Sequence, residues 1–288
     1  MNGKLYIVAT PIGNLGDMTP RAIEILREAD IIAAEDTQTS MTLLTKFEIK
    51  TKLVSNHKFN ETGSADYFIR ELLNGKNIAL ISDAGTPCIS DPGSVLVKKA
   101  AVNNIEIIAI PGACAAAAAI SISGFDIKSF VFMGFFPREN SGIKKITQKL
   151  SDNPGVYIFY ESPKRIIKTF EGVAKNLPDC DICLCNDLTK KFERIYRGSP
   201  VKILEELREN PSTTKGEYTI VIETQTPVGD IAADTPFQKG ALAMEAIVVD
   251  VMIKQKCTIK DAVKYIADNY DLSKNEIYAA SLNLKKMF

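Results

Sequence analysis

Ile78-Ala-Leu-Ile-Ser-Asp-Ala-Gly-Thr-Pro-Cys-Ile-Ser-Asp-Pro-Gly93 is the stretch on which the reading of this chain turns. The apolar run Ile78 to Ile81 predicts a buried strand. It stops abruptly in a loop carrying Asp83, Gly85, Thr86, Pro87, Asp91, Pro92 and Gly93. So many chain-bending residues at a strand end shape a concave surface. Ligands of open α/β sheets sit in the crevice beyond the carboxyl ends of the strands, so a cofactor is expected at this loop. Asp91 also reads as an N-cap, with Pro92 as the first residue of a helix running to about Val102. Capping leaves Asp83-Ala-Gly-Thr-Pro87 unexplained.

Working outward, Leu5 to Ala9 predicts a first strand, followed by the turn residues Thr10-Pro-Ile-Gly-Asn-Leu-Gly16. Thr19-Pro20 opens an amphipathic helix. Strand Ile31 to Ala34, a polar turn, a short helix, strand Leu53-Val54 and a helix from Glu61 to Leu73 lead into the central strand. Ile105 to Ile110 is a further strand, broken by Pro111-Gly112. This alternation indicates a mostly parallel sheet with helices on both faces. The alanine run after Cys114 is a strong helix former whose small side chains suit close packing against a sheet or a ligand.

Beyond Gly124 the pattern changes. Strands at 130–136, 156–160, 182–186, 193–196 and 218–223 and helices at 142–150, 163–174 and 201–208 form a second α/β region with more antiparallel character. The expected organisation is an N-terminal α/β domain at 1–112, a second at 113–224, a linker at 225–236 and a helical, helix-turn-helix-like region at 237–288. That last region holds a long apolar helix, a helix at 259–269, and a helix at 274–286 that Ser273 would cap and that carries Lys274, Lys285 and Lys286.

The 288 residues, 45% of them hydrophobic, suit two ordinary domains with a short appendage. Lys plus Arg and Asp plus Glu each number 35, so any RNA-binding face must be local. Six scattered cysteines and the absence of a secretory apolar segment at the N-terminus suit a reducing cytoplasm. Cys180, Cys183 and Cys185 could hold a metal, but His57 is the only histidine and alternation along a strand explains the spacing better. The longest apolar window, 107–123, is interrupted by Pro111-Gly112 and is not a membrane span. No Gly-x-Gly-x-x-Gly follows the first strand and no Walker-type Gly-Lys-Ser/Thr occurs. A pocket of backbone groups, carboxylates and small side chains suits a neutral or zwitterionic cofactor.

Taken in order, Tyr6-Ile-Val-Ala-Thr-Pro-Ile-Gly-Asn-Leu15, Ala33-Ala-Glu-Asp-Thr37, Ser82-Asp-Ala-Gly-Thr-Pro87 with Ser90-Asp-Pro-Gly93, Pro111-Gly-x-Cys-Ala115, Phe159-Tyr-Glu-Ser162, Leu188-Thr-Lys190 and Lys215-Gly-Glu217 resemble the motifs of the tetrapyrrole methylase family, in its branch acting on small-subunit ribosomal RNA. The resemblance implies a two-domain class III methyltransferase fold with a small C-terminal helical appendage. It also implies S-adenosylmethionine in the cleft between the domains, a homodimer, and 2'-O-methylation of a cytidine in the decoding region of 16S ribosomal RNA. The implied cofactor contacts are Pro11, Asp83, Gly85, Thr86, Ile89, Cys114, Ala115, Tyr160, Glu161, Leu188 and Gly216. The chain departs from the pattern at Gln38 in place of arginine, Ala113 in place of proline, and Asp187 in place of glutamate.

Methyl transfer is an in-line displacement, so alignment of the ribose oxygen and exclusion of water come first. A base, or a cation stabilising the alkoxide, assists. Glu35, Asp36, Glu161 and Lys190 are the candidates, each with a capping or surface role as the alternative. Arg138, Lys144, Lys145, Lys149, Lys164, Arg165, Lys190 and Lys191 concentrate positive charge in the second region and are candidates for RNA phosphates. A small corrinoid or porphyrinoid acceptor, or an RNA-binding assembly factor without catalysis, are the rival functions.

Overall fold

The computed structural model describes residues 2–56 and 61–224 and, beyond these, 248–249, 251–252, 255, 257–269, 277–279 and 281–282. The chain divides into two compact units, Met1–Thr226 and Pro227–Phe288.

Five strands, β1 (Leu5–Val8), β2 (Ile31–Ala34), β3 (Lys52–Ser55), β4 (Ile78–Ile81) and β5 (Ile107–Ile110), form a wholly parallel sheet in the order β3-β2-β4-β1-β5. Every residue of β2 and β4 is buried, because helices cover both faces. On one side Ile78 and Leu80 pack with Phe68 and Leu72 of α3 (Glu61–Leu73) and Leu96 of α4 (Ser94–Val102). On the other, Ala79 and Ile81 pack with Leu26 of α1 (Pro20–Glu28) and Leu44 of α2 (Thr37–Lys46). Each fully buried Leu or Ile contributes roughly 1.5–3 kcal/mol, which is why the unbroken apolar run, rather than an alternating one, marks these strands. Thr19 caps α1 as expected, its hydroxyl accepting from the Ala22 N–H, with Pro20 in the first turn.

The second sheet, β6 (Phe130–Phe135), β7 (Gly155–Glu161), β8 (Asp181–Asn186), β9 (Arg194–Gly198) and β10 (Tyr218–Thr224), runs β6-β7-β10-β8-β9 and is antiparallel except for the β6–β7 pair. Helices α6 (Asn140–Asp152), α7 (Ile166–Asn176) and α8 (Pro200–Glu209) cover one face around Phe159, Phe170 and Leu207. The alanine helix, α5 (Ala115–Ser121), covers the other: Ala116 and Ala119 lie against Ile158, Cys183, Cys185 and Val221. Cys183 and Cys185 are thus same-face residues of β8 beneath α5, their sulfurs 4.0 Å apart.

In the C-terminal unit, α9 (Ile259–Asn269) starts at Thr258, whose hydroxyl accepts from the Asp261 N–H, and buries Ala262 and Ile266 with Val248, Val251 and Ile277. The expected linker at 225–236, Ser273, Lys274, Lys285 and Lys286 lie outside the described residues.

Two sequence expectations need correction. Helix α7 begins at Ile166 rather than Pro163, because Ser162 to Arg165 form a turn anchored on Glu161. Helix α4 begins at Ser94, with Gly93 at its N-cap, so Asp91 and Pro92 do not open it. Gly93 has φ +131°, and a Cβ there would lie 2.7 Å from a Leu80 methyl and 2.8 Å from the Cys88 sulfur. Gly93→Ala is therefore expected to cost roughly 1–3 kcal/mol. Thermal melts should show Tm lowered by several degrees, at about 2–4 °C per kcal/mol for a chain of this size; an unchanged Tm would contradict the packing described.

Candidate active site

The loops leaving the carboxyl ends of β1, β4 and β5 are bonded to one another. Thr10 and Gly85 exchange both backbone hydrogen bonds, at 2.9 and 3.0 Å, and the buried Thr10 hydroxyl donates to the Ser82 carbonyl at 3.2 Å. The Thr86 hydroxyl donates to the Ala113 carbonyl at 3.1 Å. One residue past Pro11, Ile12 packs into the apolar cluster beneath α5, which carries the β1 loop across to the second sheet. From that sheet the Tyr160 hydroxyl accepts from the Ala116 N–H in the first turn of α5, at 3.2 Å.

These links border an open cavity of about 390 Å³, within the range of small-molecule and cofactor sites. The first sheet supplies Ile12 after β1, Glu35 after β2, Asp83 to Thr86 and Ile89 to Asp91 after β4, and Cys114 and Ala115 after β5. The second supplies Phe135, Tyr160 to Pro163, Leu188 and Glu217 to Thr219. The position is the crevice beyond the carboxyl ends of a parallel sheet.

Its charge is one-sided. Glu35, Asp83, Asp91, Glu161 and Glu217 line it, with no Lys, Arg or His among the lining residues. Burial, then the Asp83 charge, pushes the Asp91 carboxyl up to about 6, against the opposing hydrogen bond from Ser82. Burial also raises Glu35, helped by Asp91 and Asp83. Asp83 is raised by burial although the Asp36 N–H bonds its Oδ1 at 3.1 Å. Three carboxylates that resist ionising together make a site that favours a cation. Burial raises the Tyr160 phenol as well, so it stays protonated.

Of the sequence candidates, Asp83, Gly85, Thr86, Ile89, Cys114, Ala115, Tyr160, Glu161 and Leu188 border the cavity; Pro11 and Gly216 do not, while their neighbours Ile12 and Glu217 do. Gly216, at φ +82°, has a closer constraint: a Cβ would fall 2.2 Å from an Asp187 carboxylate oxygen. Among the candidate bases only Glu35 combines a place on the cavity with a raised pKa. Asp36 is a helix cap, its Oδ1 accepting from the Gln38 and Thr39 N–H groups of α2. Glu161 is 2% exposed, and its two oxygens take the Ser162 N–H, the Thr169 hydroxyl and the Arg165 guanidinium. That engagement anchors the β7–α7 turn and occupies both Glu161 as a base and Arg165 as an RNA cation.

Lys190 lies 2.8 Å from the carboxylates of both Asp187 and Glu217. Partial burial opposes its charge, but the two carboxylates outweigh that and raise its pKa, so it is a cation and not a base. Arg138, Lys144, Lys145 and Lys191 are exposed. Lys144 joins Lys168 and Lys175 around a second hollow of about 410 Å³ between α6 and α7.

Residues missed in the sequence include Phe135, Ile12 and Ser162 to Pro163. Phe135 is 54% exposed and reaches the cavity through a bulge between Phe132 and Phe135 at Gly134, which has φ +70°. A glycine inside an aromatic strand run was the available signal.

S-adenosylmethionine, the cofactor the motifs imply, carries a sulfonium and an ammonium. A cavity of this volume, lined by carboxylates and by Ala84, Gly85 and Ala115, fits such a group and is unsuited to a polyphosphate. Comparison with known proteins agrees. The family model of Tetrapyrrole (Corrin/Porphyrin) Methylases matches residues 4–202. Ribosomal RNA small subunit methyltransferase I of Halalkalibacterium halodurans is 39% identical, with 96% of this chain and 93% of that one covered. Its counterpart from Pasteurella multocida is 38% identical, with 98% of each covered. Among solved structures, diphthine synthase matches with a TM-score of 0.61 at 13% identity, over 77% of this chain and 90% of that one, a likeness of fold alone. The chain belongs to the tetrapyrrole methylase family, within its ribosomal RNA small subunit methyltransferase I group.

Proposed function

We propose that this chain transfers the methyl group of S-adenosylmethionine to ribosomal RNA, and specifically to the ribose 2'-hydroxyl of a cytidine in the decoding region of 16S ribosomal RNA. The observation carrying the cofactor assignment is the carboxylate-lined cavity between the two sheets. The acceptor assignment rests on near-full-length relatives whose printed name is ribosomal RNA small subunit methyltransferase I.

When bound, S-adenosylmethionine supplies an electrophilic methyl group on a positively charged sulfur. Asp83 and Asp91 are read as the groups that favour its positive charge, and Gly85, Thr86, Cys114 and Ala115 as the backbone that shapes its seat. Tyr160 and Leu188 are read as the side chains that would shield the reacting atoms from water. Glu35 is assigned as the base that would take the ribose 2'-hydroxyl proton, because a carboxylate with a raised pKa is the better acceptor. Lys190 is assigned a positioning role, holding the β8–β9 loop against Glu217.

The same proposal includes RNA phosphates at Arg138, Lys144, Lys145 and Lys191, a domain division at 112/113, a cytoplasmic location and a homodimer. Exposed Phe130 and Val131 on the edge strand β6 support the dimer. No helix among the described residues is long and apolar enough to cross a membrane.

Incubating the protein with labelled S-adenosylmethionine and small ribosomal subunits from cells lacking this gene should place label in 2'-O-methylcytidine after digestion to nucleosides. Cofactor binding with no label in RNA would redirect the search to a small-molecule acceptor. Glu35→Gln should lower kcat by roughly 10²-fold or more; full activity in this variant would remove Glu35 from the mechanism.

The acidic cluster has opposite effects on stability and on binding. The Asp91 pKa is raised in the fold, so the folded state binds this proton more tightly than the unfolded chain does. Its contribution to stability is full below pH 4 and is lost as pH rises to about 6. Asp91→Asn should therefore melt higher than wild type at pH 7.5 without cofactor. It should also bind S-adenosylmethionine roughly ten-fold or more weakly. Wild-type affinity should fall as pH drops through about 6, and calorimetric titration at pH 5.5 and 7.5 checks it. A flat wild-type profile would exclude Asp91 as a cation partner.

A further inference from the structure

We propose that Phe192 is a stacking platform for an unpaired base of the RNA, beside the nucleotide that enters the cavity; this rests on the RNA acceptor argued above. Phe192 is 73% exposed, more than any other described Phe. A single exposed apolar residue is ordinary, so the weight falls on its surroundings.

The loop that presents it is held firmly at several points. The Asp187 N–H donates to the Glu217 carbonyl at 2.9 Å, the Lys190 N–H to the Asp187 carbonyl at 2.9 Å, and the Glu193 N–H to the Lys190 carbonyl at 3.1 Å. The Thr189 N–H is taken by the Glu193 carboxylate, and the Lys190 ammonium is fixed between Asp187 and Glu217. Asp187 and Thr189 both adopt positive φ, at +53° and +65°, a conformation that non-glycine residues keep only when the surroundings enforce it. A ring on a pinned turn loses little entropy when a ligand stacks on it.

The same turn reaches the reacting centre. Leu188 lines the cavity, and four residues of chain span at most about 14 Å, so the ring stands within a few nucleotides of the bound one. Its neighbours carry the complementary charge: the Lys191 ammonium is 5.5 Å from the ring centroid, and Arg194 is exposed at the start of β9. With Lys191 over one face of the ring, the other face and the nearby positive charge suit a splayed nucleotide, which offers a π-face and a phosphate together.

The test compares wild type with Phe192→Leu, Phe192→Tyr and Phe192→Trp in the full chain. It measures KM for small subunits, binding of a protein-free single-stranded oligoribonucleotide, cofactor Kd and Tm. Phe192→Leu should raise KM and weaken oligonucleotide binding by roughly ten-fold, while Tyr and Trp stay near wild type and cofactor Kd and Tm do not move. Wild-type values in the Leu variant would overturn the proposal, as would equal losses in all three. A loss on subunits with unchanged oligonucleotide binding would assign the ring to a protein contact instead, and a shift in oligomeric state to a second copy of the chain. If wild type labels no RNA, the acceptor reading fails by itself, and the oligonucleotide comparison still decides the stacking.

Discussion

The reciprocal backbone pair between Thr10 and Gly85 is the constraint on which the rest of the site depends. It joins two loops that leave adjacent parallel strands, and the buried Thr10 hydroxyl closes the junction onto Ser82. Because β1 and β4 are neighbours in the sheet, their loops emerge side by side, and each backbone bond made between them removes freedom the other would otherwise keep. Asp83, on one side of this junction, and Ile12, on the other, are thereby fixed relative to each other. Ile12 in turn is packed beneath α5 on the second sheet, so the pairing transmits the geometry of one sheet to the other.

What this frame holds is electrostatically uncomfortable. Glu35, Asp83 and Asp91 are brought together, partly out of water, with raised pKa values. Such an arrangement works against the empty fold and in favour of a bound cation, the usual relation between a binding site and the stability of its scaffold. The other acidic residues nearby follow a different logic. Glu161 and Asp187 each have an internal cation, Arg165 and Lys190, and serve to hold turns. The chemical role of a carboxylate here follows from whether a cation was built beside it.

Much of this was legible in the residues. Ile31–Ala34 and Ile78–Ile81 coincide with their strands because a strand buried on both faces must be apolar throughout. The loop after β4 announced itself by its glycine, prolines and carboxylates. Asp91 was ambiguous because Asp-Pro is the signal both of a helix start and of a rigid loop; the helix opens at Ser94. The pairing of Lys190 with Glu217, 27 residues away, and the burial of Glu161 by Arg165 and Thr169 depend on tertiary packing that no local pattern encodes. Phe135 was hidden because a bulge shifts register by one position and turns the side chain to the other face.

The central claim is that the carboxylates of the first sheet face the positive groups of a methyl donor. A crystal structure of the full chain with S-adenosylmethionine tests it most directly. The account predicts the ligand in the cavity between the two sheets, with its ammonium or sulfonium within ion-pair distance of Asp83 or Asp91. A ligand bound elsewhere, or one in the cavity with both positive groups turned away from Glu35, Asp83 and Asp91, would contradict it.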